Sequence, residues 1–162
     1  MSFTIRRLGP ADAAGMRALN RLYAAAFDDS ETYAPDRPDD EWLAHQLGKD
    51  AIIILVAEED GEVVGGLTAY ELPKLERAHS EIYLYDLAVG ERDRRRGIAT
   101  ALIAELQHIA AETDAWVIFV QADHGDEPAV ALYAGLGTRE DVMHFDIAPR
   151  LRGERKKPGT SR

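Results

Sequence analysis

The sequence predicts an α+β fold of the layered α/β type, in which helices flank a mixed central β-sheet. Three observations predict it. Short apolar or alternating runs typical of strands are interleaved with segments of helical periodicity. Around residues 90–140 the strands are joined through helices, which is the connection that parallel neighbours need. The chain also has 162 residues, enough for one domain with a single buried core.

The predicted element order is β-α-α-β-β-β-α-β-α-β. Strands are predicted from alternation or continuous apolar character at residues 3–7, 51–59, 62–72, 81–89, 116–122 and 141–147. Helices are predicted from apolar spacing at residues 10–27, 42–47, 98–109 and 127–137. Asp60 and Gly61, between the second and third strands, are a hairpin signal of the kind that needs positive φ.

The composition excludes several classes of protein. The chain has no cysteine, which excludes disulfides, thiolate metal sites and a cysteine nucleophile. Its five histidines have no metal-binding spacing, so no metal is expected. The longest apolar run, residues 51–57, is far too short for a membrane span. The start, MSFTIRR, lacks the apolar stretch of a signal peptide, so a cytoplasmic location is expected.

The charge is unevenly distributed along the chain. Residues 1–149 carry 13 Lys+Arg against 28 Asp+Glu, a formal charge of −15. Such a body repels nucleic acid and attracts polycations, and no membrane partner is expected. Residues 150–162 are basic and lack apolar periodicity, so we expect a single domain over 1–149 followed by a disordered tail.

One cationic cluster stands out against this acidic background. RDRRRGIAT, residues 92–100, places four arginines in five positions just before a predicted helix. One interpretation is a solvated charge run at a helix entrance. The other is a site for a diphosphate, because the first backbone N–H groups of a helix lack partners and a glycine permits close approach. The charge pattern alone favours the solvated run.

The order of residues favours the second interpretation. Arg94–Ala99 resembles the Q/R-x-x-G-x-G/A motif of the GCN5-related N-acetyltransferases (GNAT), between the fourth strand and the third helix of that fold. EIYLYDLAV, RRRGIATALI, VIFVQADHGDEPAVALY and VMHFDI together are similar to the aminoglycoside 3-N-acetyltransferases that modify gentamicin. That resemblance covers nearly all of residues 4–149. His124 and Glu127 depart from the residues common in that group, which bears on drug range rather than on the reaction.

The resemblance implies acetyl-CoA as the acetyl donor. Main-chain amides of the turn would hold its pyrophosphate, with nearby arginines offsetting charge; the residues concerned are Arg94, Arg95, Arg96, Gly97, Ile98, Ala99 and Thr100. Backbone groups of Leu87, Ala88 and Val89 would pair with the pantetheine arm like an added strand. The family carries a bulge here, which frees one N–H to polarise the thioester carbonyl.

The resemblance and the local sequence together give three catalytic candidates. Asp86 lies within an apolar and aromatic strand, where a carboxylate is costly unless it has a role or a partner, and we expect it to remove the proton from the amine. Tyr133 matches the family tyrosine whose hydroxyl reaches the CoA sulfur, although core packing alone would explain it. Tyr85 is a neighbour able to position either group.

The acceptor side is predicted from the acidic residues. Asp123, Asp126 and Glu127 follow a strand at a helix entrance and suit a polycation, although helix capping explains Glu127 equally well. Asp28, Asp29 and Glu31 are expected on the opposite wall. Asp146, near the end of the last predicted strand, is a weaker candidate.

The expected function is therefore acetyl transfer from acetyl-CoA to the 3-amine of an aminoglycoside such as gentamicin, in a ternary complex, giving antibiotic resistance. Two alternatives remain open. One is an acetyltransferase for a polyamine or other small amine, and the other is a noncatalytic module that binds CoA or a partner. A homodimer is expected, with the final strand as a place to pair.

Overall fold

The protein is described from a computed structural model that covers residues 2–34 and 37–152. By their contacts, the described residues of Met1–Asp126 form one compact unit and those of Glu127–Arg162 form a second. The expected single domain over 1–149 stays a prediction. The tail expected over 150–162 falls largely on residues 153–162, which lie outside the described residues.

The first unit is built on a five-stranded mixed sheet, which confirms the predicted fold class. The strands are β1 (Thr4–Arg7), β2 (Ile52–Glu59), β3 (Glu62–Pro73), β4 (Ser80–Val89) and β5 (Ala115–Val120). They lie in the order β1-β2-β3-β4-β5. The β1–β2, β2–β3 and β3–β4 pairs are antiparallel, and β5 runs parallel to β4. The predicted hairpin between β2 and β3 is confirmed, with positive φ at Asp60 (φ 51°) and Gly61 (φ 82°).

Three helices of the first unit are α1 (Ala13–Phe27), α2 (Asp40–Leu47) and α3 (Ile98–Glu112). Two adjacent glycines of β3 let α1 and α3 approach the sheet closely. A Cβ on Gly66 would lie 2.5 Å from a methyl of Leu19 on α1, and a Cβ on Gly65 would lie 2.9 Å from Ile98 on α3. Because consecutive strand residues face opposite sides of a sheet, α1 and α3 cover opposite faces.

The core lies between these layers. Leu19, Leu55, Leu67, Leu102 and Leu106 are fully buried. Burying side chains of this size contributes about 1.5–3 kcal/mol each. The start of α3, with Ile98 buried against β3, is thereby fixed beside the end of β4.

The second unit contains α4 (Glu127–Ala134). The strand predicted at 141–147 is not formed: the described residues 138–150 contain no strand. Its apolar side chains are exposed, from 72% for Val142 to 90% for Ile147. Alternation of this kind is typical of a strand, but a strand also needs a partner for its N–H and C=O groups. None of the described helices is both long enough and apolar enough to cross a membrane.

Candidate active site

Asp86 lies on β4 directly opposite Thr68 of β3 and is half-buried. The hydroxyl of Tyr33, from the loop after α1, donates a hydrogen bond of 2.8 Å to Asp86 Oδ1. Burial raises the pKa of the Asp86 carboxyl, and the Tyr33 hydrogen bond partly opposes this rise. A carboxylate so placed is more basic than one in water, which favours it as a proton acceptor.

A β-bulge lies immediately before this carboxylate. Thr68 pairs with Asp86 and Ala69 pairs with Leu84, so Tyr85 is the extra residue on β4. The bulge was expected among Leu87, Ala88 and Val89, and that position is wrong. These three residues pair regularly with β3. A bulge releases backbone groups of the extra residue from the ladder, so the released groups belong to the Tyr85 region, next to Asp86.

Strands β4 and β5 separate beyond the bulge. The β4–β5 ladder runs from Ser80–Ala115 to Leu84–Val120, where β5 ends. Leu87, Ala88 and Val89 are therefore paired with β3 on one side only, within the ladders that the described residues form. Their other edge offers N–H and C=O groups to an extended ligand.

The turn before α3 presents uncapped N–H groups. Arg95 (φ 62°) and Gly97 (φ 81°) are both left-handed, and Gly97 is the N-cap of α3 without a side-chain cap. The first helical turn has no acidic residue, and a Cβ on Gly97 would meet open space. Successive N–H groups at such a turn form a concave anion site at the positive end of the helix dipole. The Arg94–Thr100 segment thus has the local geometry that a diphosphate needs.

The arginines of this turn divide into two kinds. Arg96 donates to both carboxylate oxygens of Glu59 at 2.7 and 2.9 Å and also pairs with Asp93. Its side chain therefore ties the turn to the end of β2. Arg94 and Arg95 are exposed. A phosphate charge would consequently be offset by Arg94 and Arg95, while Arg96 contributes its backbone.

Tyrosine rings meet at Tyr85, the residue before Asp86 on β4. The ring of the exposed Tyr85 meets Tyr70 and Tyr83 edge to face, with centroids 5.8 and 5.4 Å apart. Tyr23 is buried and its hydroxyl lies 3.1 Å from that of Thr68. Sequence reasoning identified Tyr85 but missed Tyr33 and Tyr70, because rings in a loop and on a neighbouring strand carry no periodic signal toward Asp86.

The acidic candidates of the first unit have different surroundings. Asp123 and Asp126 are exposed in the segment after β5, where the Asp126 N–H donates to the Asp123 carbonyl at 3.2 Å. Asp28 and Glu31 are also exposed. Asp29 Oδ1 accepts from the Thr32 N–H at 3.0 Å, and this contact lowers the pKa of the Asp29 carboxyl. Asp29 therefore has a local structural role.

The other candidates lie in the second unit. Glu127 is the first residue of α4 and an acidic residue of its first turn, and Tyr133 is half-buried on the same helix. Asp146 does not end a strand, contrary to expectation; it is exposed and lies 3.0 Å from His144 Nε2. Among residues 2–34 and 37–152, no group of three or more acidic or histidine side chains is arranged to hold a metal ion.

Comparison with known proteins agrees with this geometry. A family model described as "Acetyltransferase (GNAT) family" matches residues 16–138. The chain belongs to this acetyltransferase family. GNAT acetyltransferases use acetyl-CoA, which fits the open edge of β4 and the turn before α3.

Two similar crystal structures are of aminoglycoside acetyltransferases from uncultured soil samples. The first, HMB0005, is 51% identical with a TM-score of 0.90, covering 93% of this chain and 100% of that one. The second, meta-AAC0020 in complex with sisomicin, is 31% identical with a TM-score of 0.84, covering 91% and 97%. The GNAT chain thus resembles aminoglycoside acetyltransferases over almost its whole length.

Among curated proteins, N-acetyltransferase family 8 member 2 of Rattus norvegicus is 29% identical over 99 residues, 60% of this chain. The matched region is 44% of that protein. The GNAT chain therefore spans about half the length of such curated relatives.

Proposed function

We propose that this GNAT protein is an aminoglycoside 3-N-acetyltransferase, which transfers the acetyl group of acetyl-CoA directly to the 3-amine of an aminoglycoside such as gentamicin. The observation that carries the proposal is the half-buried Asp86 carboxylate beside the bulge at Tyr85, where β4 and β5 separate. The similarity of the chain to two aminoglycoside acetyltransferases of known structure supports the proposal. Resistance to the drug would follow from the modification, and a cytoplasmic location remains a prediction.

Two features of the chain suit acetyl-CoA. The N–H groups of the Arg94–Thr100 turn would bind the pyrophosphate, and the open edge of Leu87–Val89 would pair with the pantetheine amides. The side chains of Leu87 and Val89 lie on the opposite side of β4 from Asp86 by strand alternation. Backbone recognition of this kind leaves the bulge free to face the reacting carbonyl.

Asp86 supplies the basic group of the reaction. It accepts a proton from the acceptor ammonium, so that the neutral amine forms the C–N bond while the C–S bond of the thioester breaks. A released N–H at the bulge would stabilise the oxyanion that develops on the carbonyl oxygen. Tyr133 is proposed to protonate the departing CoA thiolate, and the second proton lost by the attacking nitrogen restores the Tyr133 hydroxyl. The products are then an amide and a thiol, with one proton left on Asp86.

The acceptor class follows from charge. Aminoglycosides are polycations, and exposed carboxylates attract them at long range. Asp123 and Asp126 after β5, Asp28 and Glu31 after α1, and Glu127 and Asp146 of the second unit are proposed as contacts. Asp29 is proposed to act through the shape of its loop, because its carboxylate already accepts from Thr32.

The test is product analysis after incubation with acetyl-CoA and gentamicin. We expect release of free CoA thiol, and the proton NMR spectrum of the product should show acetylation at the 3-amine. Acetylation at another amine would retain the enzyme class and overturn the regiochemistry. Thiol release with spermidine but with no aminoglycoside would favour the small-amine alternative, and no release with either would favour the binding module.

A further inference from the structure

Tyr33 is held at Asp86 by three separate sets of contacts. Its backbone N–H donates to the Asp29 carbonyl at 3.3 Å, in the same turn that Asp29 closes through Thr32. Its ring packs on Tyr23 and Phe27 of α1, with centroids 5.3 and 5.6 Å apart. Its hydroxyl then reaches Asp86 Oδ1 at 2.8 Å.

These contacts specify the orientation of the carboxylate. Oδ1 is occupied by the Tyr33 hydroxyl, and a carboxylate has a second oxygen with its own lone pairs. Rotation of the carboxyl group would break a hydrogen bond to a charged acceptor, one of the stronger kinds of hydrogen bond in proteins. The second oxygen, Oδ2, is therefore held in one direction.

The titratable groups that face Asp86 come from several elements. Among the described residues, burial and, as a smaller cause, the Asp86 charge raise the pKa of Tyr23 on α1, Tyr33 in the following loop, Tyr70 on β3 and Tyr83 on β4. Of these, Tyr33 is the one that donates to the Asp86 carboxylate. Its removal should therefore change the proton affinity of Asp86 in a known direction.

We propose that Tyr33 is the positioning residue for the Asp86 base, fixing Oδ1 so that Oδ2 accepts the proton of the acceptor amine. The inference rests on the proposed acetyl transfer, and it assigns a specific task to the loop after α1. That loop also carries Asp28 and Glu31, the acidic residues proposed to contact the polycation. Acceptor binding and base orientation would therefore be served by one segment.

The test compares Tyr33→Phe with Tyr83→Phe. Tyr33→Phe keeps the ring that packs on Tyr23 and removes only the hydroxyl. Tyr83→Phe is the matched control, because it removes a phenol hydroxyl that donates to Gln121 at 2.7 Å and keeps the stack on Phe119. kcat and KM are measured for each between pH 5 and pH 9, in roughly half-unit steps fine enough to resolve one titration.

We expect Tyr33→Phe to lower kcat about tenfold or more at pH 6, the usual worth of a hydrogen bond to a charged group. Without its donor, Asp86 binds its proton more tightly, so the acid limb of the kcat profile moves to higher pH and the loss shrinks toward pH 9. KM should change little, and Tyr83→Phe should follow the wild-type profile. An unmoved acid limb, or a rise in KM with unchanged kcat, would overturn the proposal.

A double-mutant cycle with Asp86→Asn tests whether the loss of kcat in Tyr33→Phe depends on Asp86. If Tyr33 acts through Asp86, Tyr33→Phe causes no further loss of kcat in the Asp86→Asn background. A loss of the same factor in both backgrounds would show that Tyr33 acts elsewhere.

Carbon NMR titration of the side-chain carboxyls provides a readout independent of turnover. The Asp86 signal is the one absent from Asp86→Asn, and its midpoint should be higher in Tyr33→Phe than in the wild type. A wild type that releases no thiol overturns the proposed function. In that case the titration midpoint of Asp86 alone shows whether the Tyr33 hydroxyl affects the proton affinity of Asp86. An active wild type with an unmoved midpoint overturns the role of Tyr33 alone.

Discussion

At the scale of single residues, Asp86 shows how a carboxylate is kept within an apolar strand. Burial raises its pKa, and the Tyr33 hydroxyl opposes this by stabilising the ionised form. The same sequence feature that predicted Asp86, a charge among apolar and aromatic neighbours, predicted nothing about its partner. Tyr33 lies 53 residues away along the chain, and only the packing of the loop on α1 brings the two together.

The substitution Asp86→Asn should separate catalysis from binding. It keeps the size of the side chain and removes its charge, so acetyl-CoA affinity should survive while turnover falls by about 10²–10⁴, the usual worth of a positioned base. Higher pH should restore part of the rate, because more of the amine is then neutral. Tyr133→Phe should cost less, since a thiolate leaves without protonation. Thiol release between pH 6 and 9 measures both, and wild-type turnover in Asp86→Asn would make Asp86 structural.

The same variant should also be more stable than the wild type at pH 7. A carboxyl whose pKa is raised by burial is neutral in both folded and unfolded protein at low pH, and its charge destabilises the fold as pH rises through the folded pKa. We therefore expect Asp86→Asn to have the higher Tm at pH 7 and the difference to vanish near pH 3. A lower Tm at pH 7 would mean that the charge, rather than its removal, stabilises the fold.

At the scale of elements, the sequence predicted the strands of the sheet and the helices to within a few residues, because apolar periodicity reports the buried face of each. It did not predict the position of the bulge at Tyr85, which depends on how β3 and β4 pair. Nor did it predict that Gly65 and Gly66 admit Ile98 and Leu19. These features depend on how elements distant in the sequence pack together, and the local pattern of apolar residues does not predict them.

The turn before α3 is the element that Gly97→Asp should disable. Gly97 has φ 81° and open space at the Cβ position, so the added side chain meets no neighbouring atom, but its charge would face the proposed pyrophosphate site. Acetyl-CoA should raise the Tm of the wild type, as a ligand that binds only the folded state must, and it should not raise that of Gly97→Asp.

Gly61→Asp is the matched control for this experiment. Gly61 has nearly the same φ, 82°, and similarly open space in the β2–β3 hairpin. Both variants should lose stability, because a side chain is strained at such a φ, yet Gly61→Asp should keep the Tm rise with acetyl-CoA. An equal Tm rise in folded Gly97→Asp would remove the site from this turn.

At the scale of the whole molecule, the net charge of −10 is the property most directly tied to the acceptor. It predicts attraction of a polycation but gives no position, and the structure leaves Asp123 and Asp126 exposed after β5. The expected homodimer stays a prediction, and the exposed apolar side chains of residues 142–147 give it a surface to test by sedimentation. Attraction by the overall negative charge and direct contact with Asp123 predict different changes in the KM for the aminoglycoside.

The last prediction distinguishes the two. If Asp123 contacts the aminoglycoside, Asp123→Asn should raise KM severalfold with little change in kcat, because the lost interaction contributes to binding both before and during the reaction. Glu105→Gln removes the same charge from an exposed position on α3 and should leave KM near the wild-type value.

Salt dependence provides a second measurement. The KM of the wild type should rise with salt, because exposed charges interact over about 10 Å at 0.1 M salt and over shorter distances at higher concentrations. The rise should be shallower in Asp123→Asn, because that variant has already lost one attraction to the aminoglycoside. Steady-state kinetics of the three proteins between low and high salt measure all of this. Equal KM increases in Asp123→Asn and Glu105→Gln would indicate that the acceptor responds to the general negative field of the protein. A wild-type KM that does not change with salt, together with a wild-type KM in Asp123→Asn, would show that Asp123 has only a structural role in the loop before α4.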